Sequence, residues 1–267
     1  LIMLKPVVCY LFTCFDQKSS FYEFLSNYKK FKAGTEHTLV ICFKLLNEDQ
    51  ISILKKNLIN ISYEEFIDPE STNDFDFGSY KRVAEKYSQN YILFLNSHSY
   101  PISDNWLSLL SKFIGEKTLI GTSASCESIL TSTILKKKYK FLSFFLRKFR
   151  YKKKFNNFPN PHLRTSSFFI KGYDYINFIS NKKIRTKEDA WDIESGKFGL
   201  TNYFKNKGFN IFVINSLGQK FSEIDWKYSK TYNYLDQEYS IISDKHTRKY
   251  LSLDNDEKKI YEKNTWG

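Results

Sequence analysis

The chain has 267 residues, 42% of them hydrophobic and 18% aromatic, with a formal net charge of +12. That length can bury a sizeable core, and that apolar content excludes a disordered chain. The positive balance points to anionic partners (phosphorylated small molecules, nucleic acid or an anionic membrane surface) without choosing among them.

The apolar opening leads into VVCYLFTCF (7–15). It has one basic residue and no small-residue cleavage site, so it predicts a first strand rather than a signal peptide. SFYEFLSNYKKF (20–31) predicts a helix and HTLVICFKLL (37–46) a second strand. NEDQISILKKNL (47–58) has acidic residues at its start and lysines at its end, the polarity of a helix. SYEEFID (62–68) reads as a short third strand, and DFDFGSYKRVAEKYSQN (74–90) brings Gly78 and Ser79 to the start of a helix. YILFL (91–95) is a fourth strand, DNWLSLLSKFIG (104–115) a capped helix and TLIGTSAS (118–125) a fifth strand. Such alternation predicts an α/β fold with a mostly parallel central sheet flanked by helices. Ligands of such sheets bind beyond the carboxyl ends of the strands, which gathers Thr13–Gln17, Lys44–Asp49, Asp68–Gly78 and Asn96–Ser99 around one cleft.

The pattern then changes. LKKKYKFLSFFLRKFRYKKKF (135–155) packs basic residues around Phe141, Leu142, Phe144, Phe145 and Leu146. It reads either as a solvated amphipathic helix or as a surface for phosphate headgroups of an anionic membrane or a lipid-linked substrate. No ribonucleoprotein, KH or helix-turn-helix signature supports nucleic-acid binding. NPHLRTSSFFIKGYDYINF (160–178) predicts a turn, a strand and a helix. TKEDAWDIESGKFGLTNYFKNKGFNIFVIN (186–215) predicts a loop dense in carboxylates, then a helix, then a strand. The tail ends in a charged, helix-like run. With no repeat and no obvious linker, residues 1–267 read as one domain with an elaborated C-terminal third. The four cysteines form no C-x-x-C pair, which argues against zinc and disulfide frameworks and for a reducing cytoplasm. No apolar run reaches the ~18 residues of a membrane span.

GSYKRVAEKYSQNYILFLNSHSYPISDNWLSLL resembles the middle of family 2-type glycosyltransferases of the GT-A fold. There, a glycine and a basic residue open a helix, and a strand ends in an acidic DxD-like motif before a Trp-Leu helix. NKGFNIFVI resembles the strand that follows the catalytic base, and NPHLRTSSFFI takes the place of the acceptor-side strand. The resemblance spans roughly residues 7–215 and rests on the order of its parts. It implies a GT-A-like (Rossmann-like) sheet, with residues 1–125 as the nucleotide-sugar half and 126–267 as the acceptor half. It also implies an inverting glycosyltransferase that moves sugar from a nucleotide-sugar donor to a surface glycan, such as lipopolysaccharide or capsule, or to a lipid-linked glycan. Such an enzyme would work in the cytoplasm, at the inner face of the membrane.

Site residues follow from the same resemblance. Glu194 is the expected general base, with Asp192 and Asp189 behind it. Thr13, Asp68, Asp76, Gly78, Arg82, Asn96, Ser97, His98 and Arg164 are expected on the donor side. Trp191, Gly196 and Trp226 are expected near the acceptor, the tryptophans as stacking surfaces. The DxD positions fall on Asn96 and His98, a neutral carbonyl and an imidazole, with His246 as the distant third metal ligand. Such a set holds Mn²⁺ or Mg²⁺ far more weakly than two carboxylates, so metal is expected to be weakly bound or absent, with Arg82 and Arg164 meeting the diphosphate instead. Two rival readings are a non-catalytic GT-A-like module that binds glycan or phosphate, and a basic protein that binds membrane surfaces.

Overall fold

The computed structural model describes residues 4–136 and 141–267, and it leaves the side chains of 133–136 and 141–145 undescribed. The side chains of much of the aromatic part of the 135–155 stretch, Phe141 to Phe145, therefore lie outside the description.

Strands β1 (Val7–Thr13), β2 (Thr38–Lys44), β3 (Glu64–Ile67) and β4 (Tyr91–Leu95) alternate with α1 (Lys18–Lys30), α2 (Glu48–Lys55) and α3 (Phe75–Lys86). Then come β5 (Tyr100–Pro101), α4 (Trp106–Ser111), β6 (Thr118–Gly121) and β7 (Ala124–Ser125). The second half holds α5 (Ile129–Lys136), α6 (Phe141–Lys154), β8 (His162–Leu163), β9 (Ser167–Lys171) and α7 (Gly172–Ile179). It continues through α8 (Lys187–Ser195), α9 (Leu200–Asn206), β10 (Asn210–Ile214), β11 (Lys220–Phe221), β12 (Ile242–Ser243), α10 (Lys245–Leu251) and α11 (Asn255–Trp266).

The central sheet runs β11-β10-β6-β9-β4-β1-β2-β3. Strands β1 to β4 are mutually parallel; β9 inserts antiparallel between β4 and β6, and β11 pairs antiparallel at the far edge. The expected mostly parallel α/β architecture is the one the chain adopts. Alternation along β1 explains the two-sided core: Val7, Cys9 and Leu11 face α3 and α7, whereas Val8, Tyr10 and Phe12 face α1 and α4. Both faces are covered, so the strands read as continuous apolar runs.

Two segments differ from expectation. The carboxylate-rich stretch is helix α8 rather than a loop, because Thr186 and Asp189 form a reciprocal capping box. TLIGTSAS is two strands: after Gly121 the chain leaves the main sheet, and β7 pairs with β8 in a small sheet of its own. A third sheet, also two-stranded, joins β5 to β12, bringing the C-terminal segment back against the loop after β4. Among the described residues, no helix is long and apolar enough to cross a membrane.

Candidate active site

A cleft of about 410 Å³ opens at the carboxyl edge of the parallel strands. Phe75–Phe77 at the start of α3 and Asn96 after β4 form one wall. His162 of β8, Arg164, Thr165 and Ser166 of the β8–β9 connection, Trp191 and Glu194 of α8, Glu127, Tyr232 and His246 form the others.

Glu194 is held in a defined orientation. Its Oε1 accepts 2.9 Å hydrogen bonds from the Thr165 backbone N–H and from Thr165 Oγ1. No hydrogen bond fixes the other oxygen among the described residues, and the residue faces the cleft. Asp76 shares the cleft and has no hydrogen-bond or ion-pair partner among the described residues. Burial first, and then the negative charge of Asp16, push its carboxyl up to about 6; nearby Lys44 opposes the rise and Glu194 adds to it. His162 is buried and donates through Nδ1 to the Asn160 carbonyl at 2.7 Å, which leaves Nε2 as an acceptor. Glu127 Oε1 accepts from Thr265 Oγ1 at 2.7 Å, so the last helix braces this wall.

The loop after β4 is folded upon itself. Asn96 Oδ1 accepts from the His98 backbone N–H at 3.2 Å and from Ser99 Oγ at 2.8 Å. Its carbonyl is therefore occupied within the loop, and the amide NH₂ is what Asn96 can offer the cleft. Ser97 is buried, and its carbonyl accepts from Tyr10 Oη at 2.9 Å. His98 Nε2 lies 3.5 Å from Asp16 Oδ1, and its Nδ1 lies 3.3 Å from Ser20 Oγ. Burial lowers the His98 pKa, against the pull of Asp16. His246 sits on the opposite wall, also lowered by burial and then by the Arg164 charge. Among the described residues no group of three or more His, Cys, Asp or Glu side chains converges as a metal site. Asn96, His98 and His246 thus do not fit the ligand set expected of them, because one carbonyl is taken and one imidazole is turned to Asp16 and Ser20.

Both expected diphosphate arginines are committed elsewhere. Arg82 forks onto Asp68 (Nε–Oδ1 2.6 Å, Nη2–Oδ2 2.7 Å) and onto Asp74 (Nη1–Oδ2 2.7 Å). Lys44, fully buried at the end of β2, also binds Asp74, and donates to the Phe75 carbonyl at 2.6 Å. Asp68 additionally accepts from Ser79 Oγ. Two cations and two carboxylates so close a neutral, partly buried cluster at the start of α3. Gly78 belongs to it: a Cβ there would lie 1.8 Å from Asp74 Oδ2, so the glycine admits Asp74 rather than a phosphate. Arg164, 6% exposed, pairs with Asp244 at 2.5 Å and lies 3.8 Å above the Tyr232 ring. It lines the cleft, yet its charge is already matched.

The remaining expected residues divide. Trp191 lines the cleft and remains available for stacking. Trp226 is 1% exposed in the core and cannot stack on a sugar. Gly196 is closed off by Asp192, whose Oδ1 would lie 2.0 Å from a Cβ, so no sugar approaches there. Asp192 lies off the cleft, its carboxyl raised by burial. Asp189 serves the capping box. Thr13 is buried and binds Asp16 through both its N–H (3.1 Å) and its Oγ1 (2.6 Å). His162, Thr165, Glu127, Tyr232 and Asp244 were not singled out in the sequence. Only Asp244 carries a readable signal, the Asp-x-x-Thr capping pattern with Thr247.

No family model and no curated protein matches the chain. Solved structures similar to it include the galactosyltransferase LgtC in complex with donor and acceptor sugar analogues, at 12% identity and TM-score 0.46, over 79% of this chain and 73% of that one. GalNAc-T7 with UDP, GalNAc and Mn²⁺ is similar at 11% identity and TM-score 0.45, over 73% of this chain and 42% of that one. A 4-diphosphocytidyl-2C-methyl-D-erythritol synthase from Anaerococcus prevotii is similar at 10% identity and TM-score 0.44, over 84% and 96%. Similarity at this level assigns no activity.

Proposed function

We propose that the protein is a GT-A-like glycosyltransferase that moves a sugar from a nucleotide-sugar donor to a glycan acceptor with inversion. The observation that carries this reading is the Glu194 carboxylate, oriented by Thr165 with one oxygen open to a cleft at the carboxyl edge of a parallel sheet. In that role Glu194 takes the proton of the acceptor hydroxyl as its oxygen bonds the anomeric carbon. The bond from that carbon to the nucleoside diphosphate breaks on the opposite face. Trp191 offers an apolar wall for the acceptor ring, while Asp76 and the Asn96 NH₂ are suited to hydroxyl and phosphate oxygens of the donor. The Asn96, His98 and His246 set fits a resident Mn²⁺ or Mg²⁺ poorly, so no step is routed through a metal. The acceptor class that suits this reading is a lipopolysaccharide, capsule or lipid-linked glycan handled at the cytoplasmic face.

One observation favours the rival, a GT-A-like module that binds without turnover: Arg82 and Arg164 both neutralise carboxylates of the protein. Calorimetry with UDP, GDP and dTDP, followed by transfer assays with the matching sugar donors, separates the two. The transferase reading expects binding, and a loss of transfer of roughly 10²-fold or more in Glu194→Gln with donor affinity kept. Retained turnover in that variant, or the absence of any nucleotide binding, would overturn it.

A further inference from the structure

Helix α6 has two faces of opposite character. Inward, Tyr151 and Phe155 beyond its end pack with Leu130 against Trp191, and Lys154 Nζ reaches Glu188 Oε1 at 3.1 Å. The helix is thereby fixed to α8, the helix that carries Glu194 and Trp191 into the cleft. Outward, Leu146 and Phe149 are 71% and 69% exposed, although both are large and apolar. Leu146, Phe149, Arg150 and Lys153 follow the i, i+3, i+4, i+7 spacing of one helix stripe and line a shallow depression of about 400 Å³. Lys153 Nζ stands 5.6 Å from the centre of the Phe149 ring. Residues 146–154 hold six cations and no carboxylate.

We propose that this outer face of α6 seats the protein on an anionic lipid bilayer, with Leu146 and Phe149 in the interfacial zone and Lys153 and the flanking Arg147 and Lys152 at the headgroups, whereas Arg150 is held by Glu188 at 2.6 Å. Two exposed apolar side chains ringed by cations suit a surface that is apolar in depth and anionic at its rim, which is a bilayer. A polyanion such as RNA would satisfy the cations while leaving Leu146 and Phe149 in water. Since α6 is braced to α8, membrane seating places the Trp191 side of the cleft near the lipid surface. A lipid-linked acceptor follows from that placement, and this corollary alone rests on the transferase reading.

Vesicle flotation of the full chain tests the surface without any assay of transfer. Vesicles of phosphatidylcholine alone are compared with vesicles holding about 30% phosphatidylglycerol, at about 50 and 500 mM NaCl. Preferential binding to the anionic vesicles is expected, weakening at high salt and falling at least about tenfold in the Leu146→Glu/Phe149→Glu double variant. Ile224→Glu, at a residue 86% exposed elsewhere, should leave binding unchanged. Overturning results are equal binding by wild type and double variant, an equal loss in Ile224→Glu, or capture of an RNA oligonucleotide undiminished by the double variant with no vesicle binding. Transfer to a soluble acceptor, measured separately, reports on the transferase reading, so either can fail alone.

Discussion

Asp76 stands in the cleft without a partner among the described residues, its carboxyl raised to about 6 by burial and then by Asp16. Its folded pKa lies above the unfolded value of 3.8, so its contribution to stability is fully present below pH 4 and lost as pH rises through 6. That rise corresponds to about 3 kcal/mol above that window. Asp76→Asn removes this liability. Urea denaturation should find the variant about 1–3 kcal/mol more stable at pH 8 and level with wild type at pH 3.5. Equal stability at both pH values would remove the case for an unpartnered carboxyl there. If Asp76 contacts the donor, the same variant gives up transfer as it gains stability. Asp76, Glu194 and Trp191 could be picked out from the sequence because each follows a strand or sits in an acidic run, whereas His246 entered only through the family resemblance. His162 and Tyr232 carry no such local mark, since what brings them to the cleft is the return of the chain from β8 and from the C-terminal segment.

At the scale of one element, α3 shows how a motif can mislead. FGSYKR reads as a helix opening that receives phosphate, but the first turn is organised by Asp74, which binds Lys44 and Arg82. Lys44 lies 30 residues earlier, a distance over which no periodicity speaks. The strands were legible for the opposite reason: their apolar runs are dictated by burial on both faces, a local property. The cluster makes a sharp prediction. Asp74→Ala leaves the Lys44 ammonium, 1% exposed, without its carboxylate and should cost about 3–5 kcal/mol. Gly78→Ala drives a methyl into the Asp74 carboxylate and should cost about 2–4 kcal/mol by displacing it. Because both act through Asp74, the double variant should fall short of additivity by more than ~1 kcal/mol in urea denaturation. Full additivity would mean that Gly78 serves some other contact.

Across the whole molecule, the N-terminal half was readable in chain order, because each strand and helix pairs with a near neighbour. The C-terminal third was not, because its contribution is long-range. Asp244 reaches back 80 residues to Arg164 and 78 to Ser166, and β12 pairs with β5 beside the loop after β4. Asp244 is the clasp. Burial opposes its ionisation, yet Arg164 beside it and hydrogen bonds from Arg164, Ser166 and Thr247 hold its carboxyl well below the usual range. The same carboxylate accepts the His246 backbone N–H at 2.7 Å, which sets where that histidine meets the cleft. A depressed pKa contributes stability above the unfolded value of 3.8 and loses it as pH falls further. Asp244→Asn leaves buried Arg164 without its counter-charge, so denaturation at pH 7 should reveal a deficit of about 3–5 kcal/mol. Below pH 4 wild type loses this contribution too, and the gap should narrow by roughly 1 kcal/mol per pH unit. A gap that stays constant from pH 7 to pH 2 would show that the deficit comes from lost hydrogen bonds rather than from charge. A narrowing gap would mean that one ion pair, invisible to any local reading of the chain, ties the C-terminal third to the cleft.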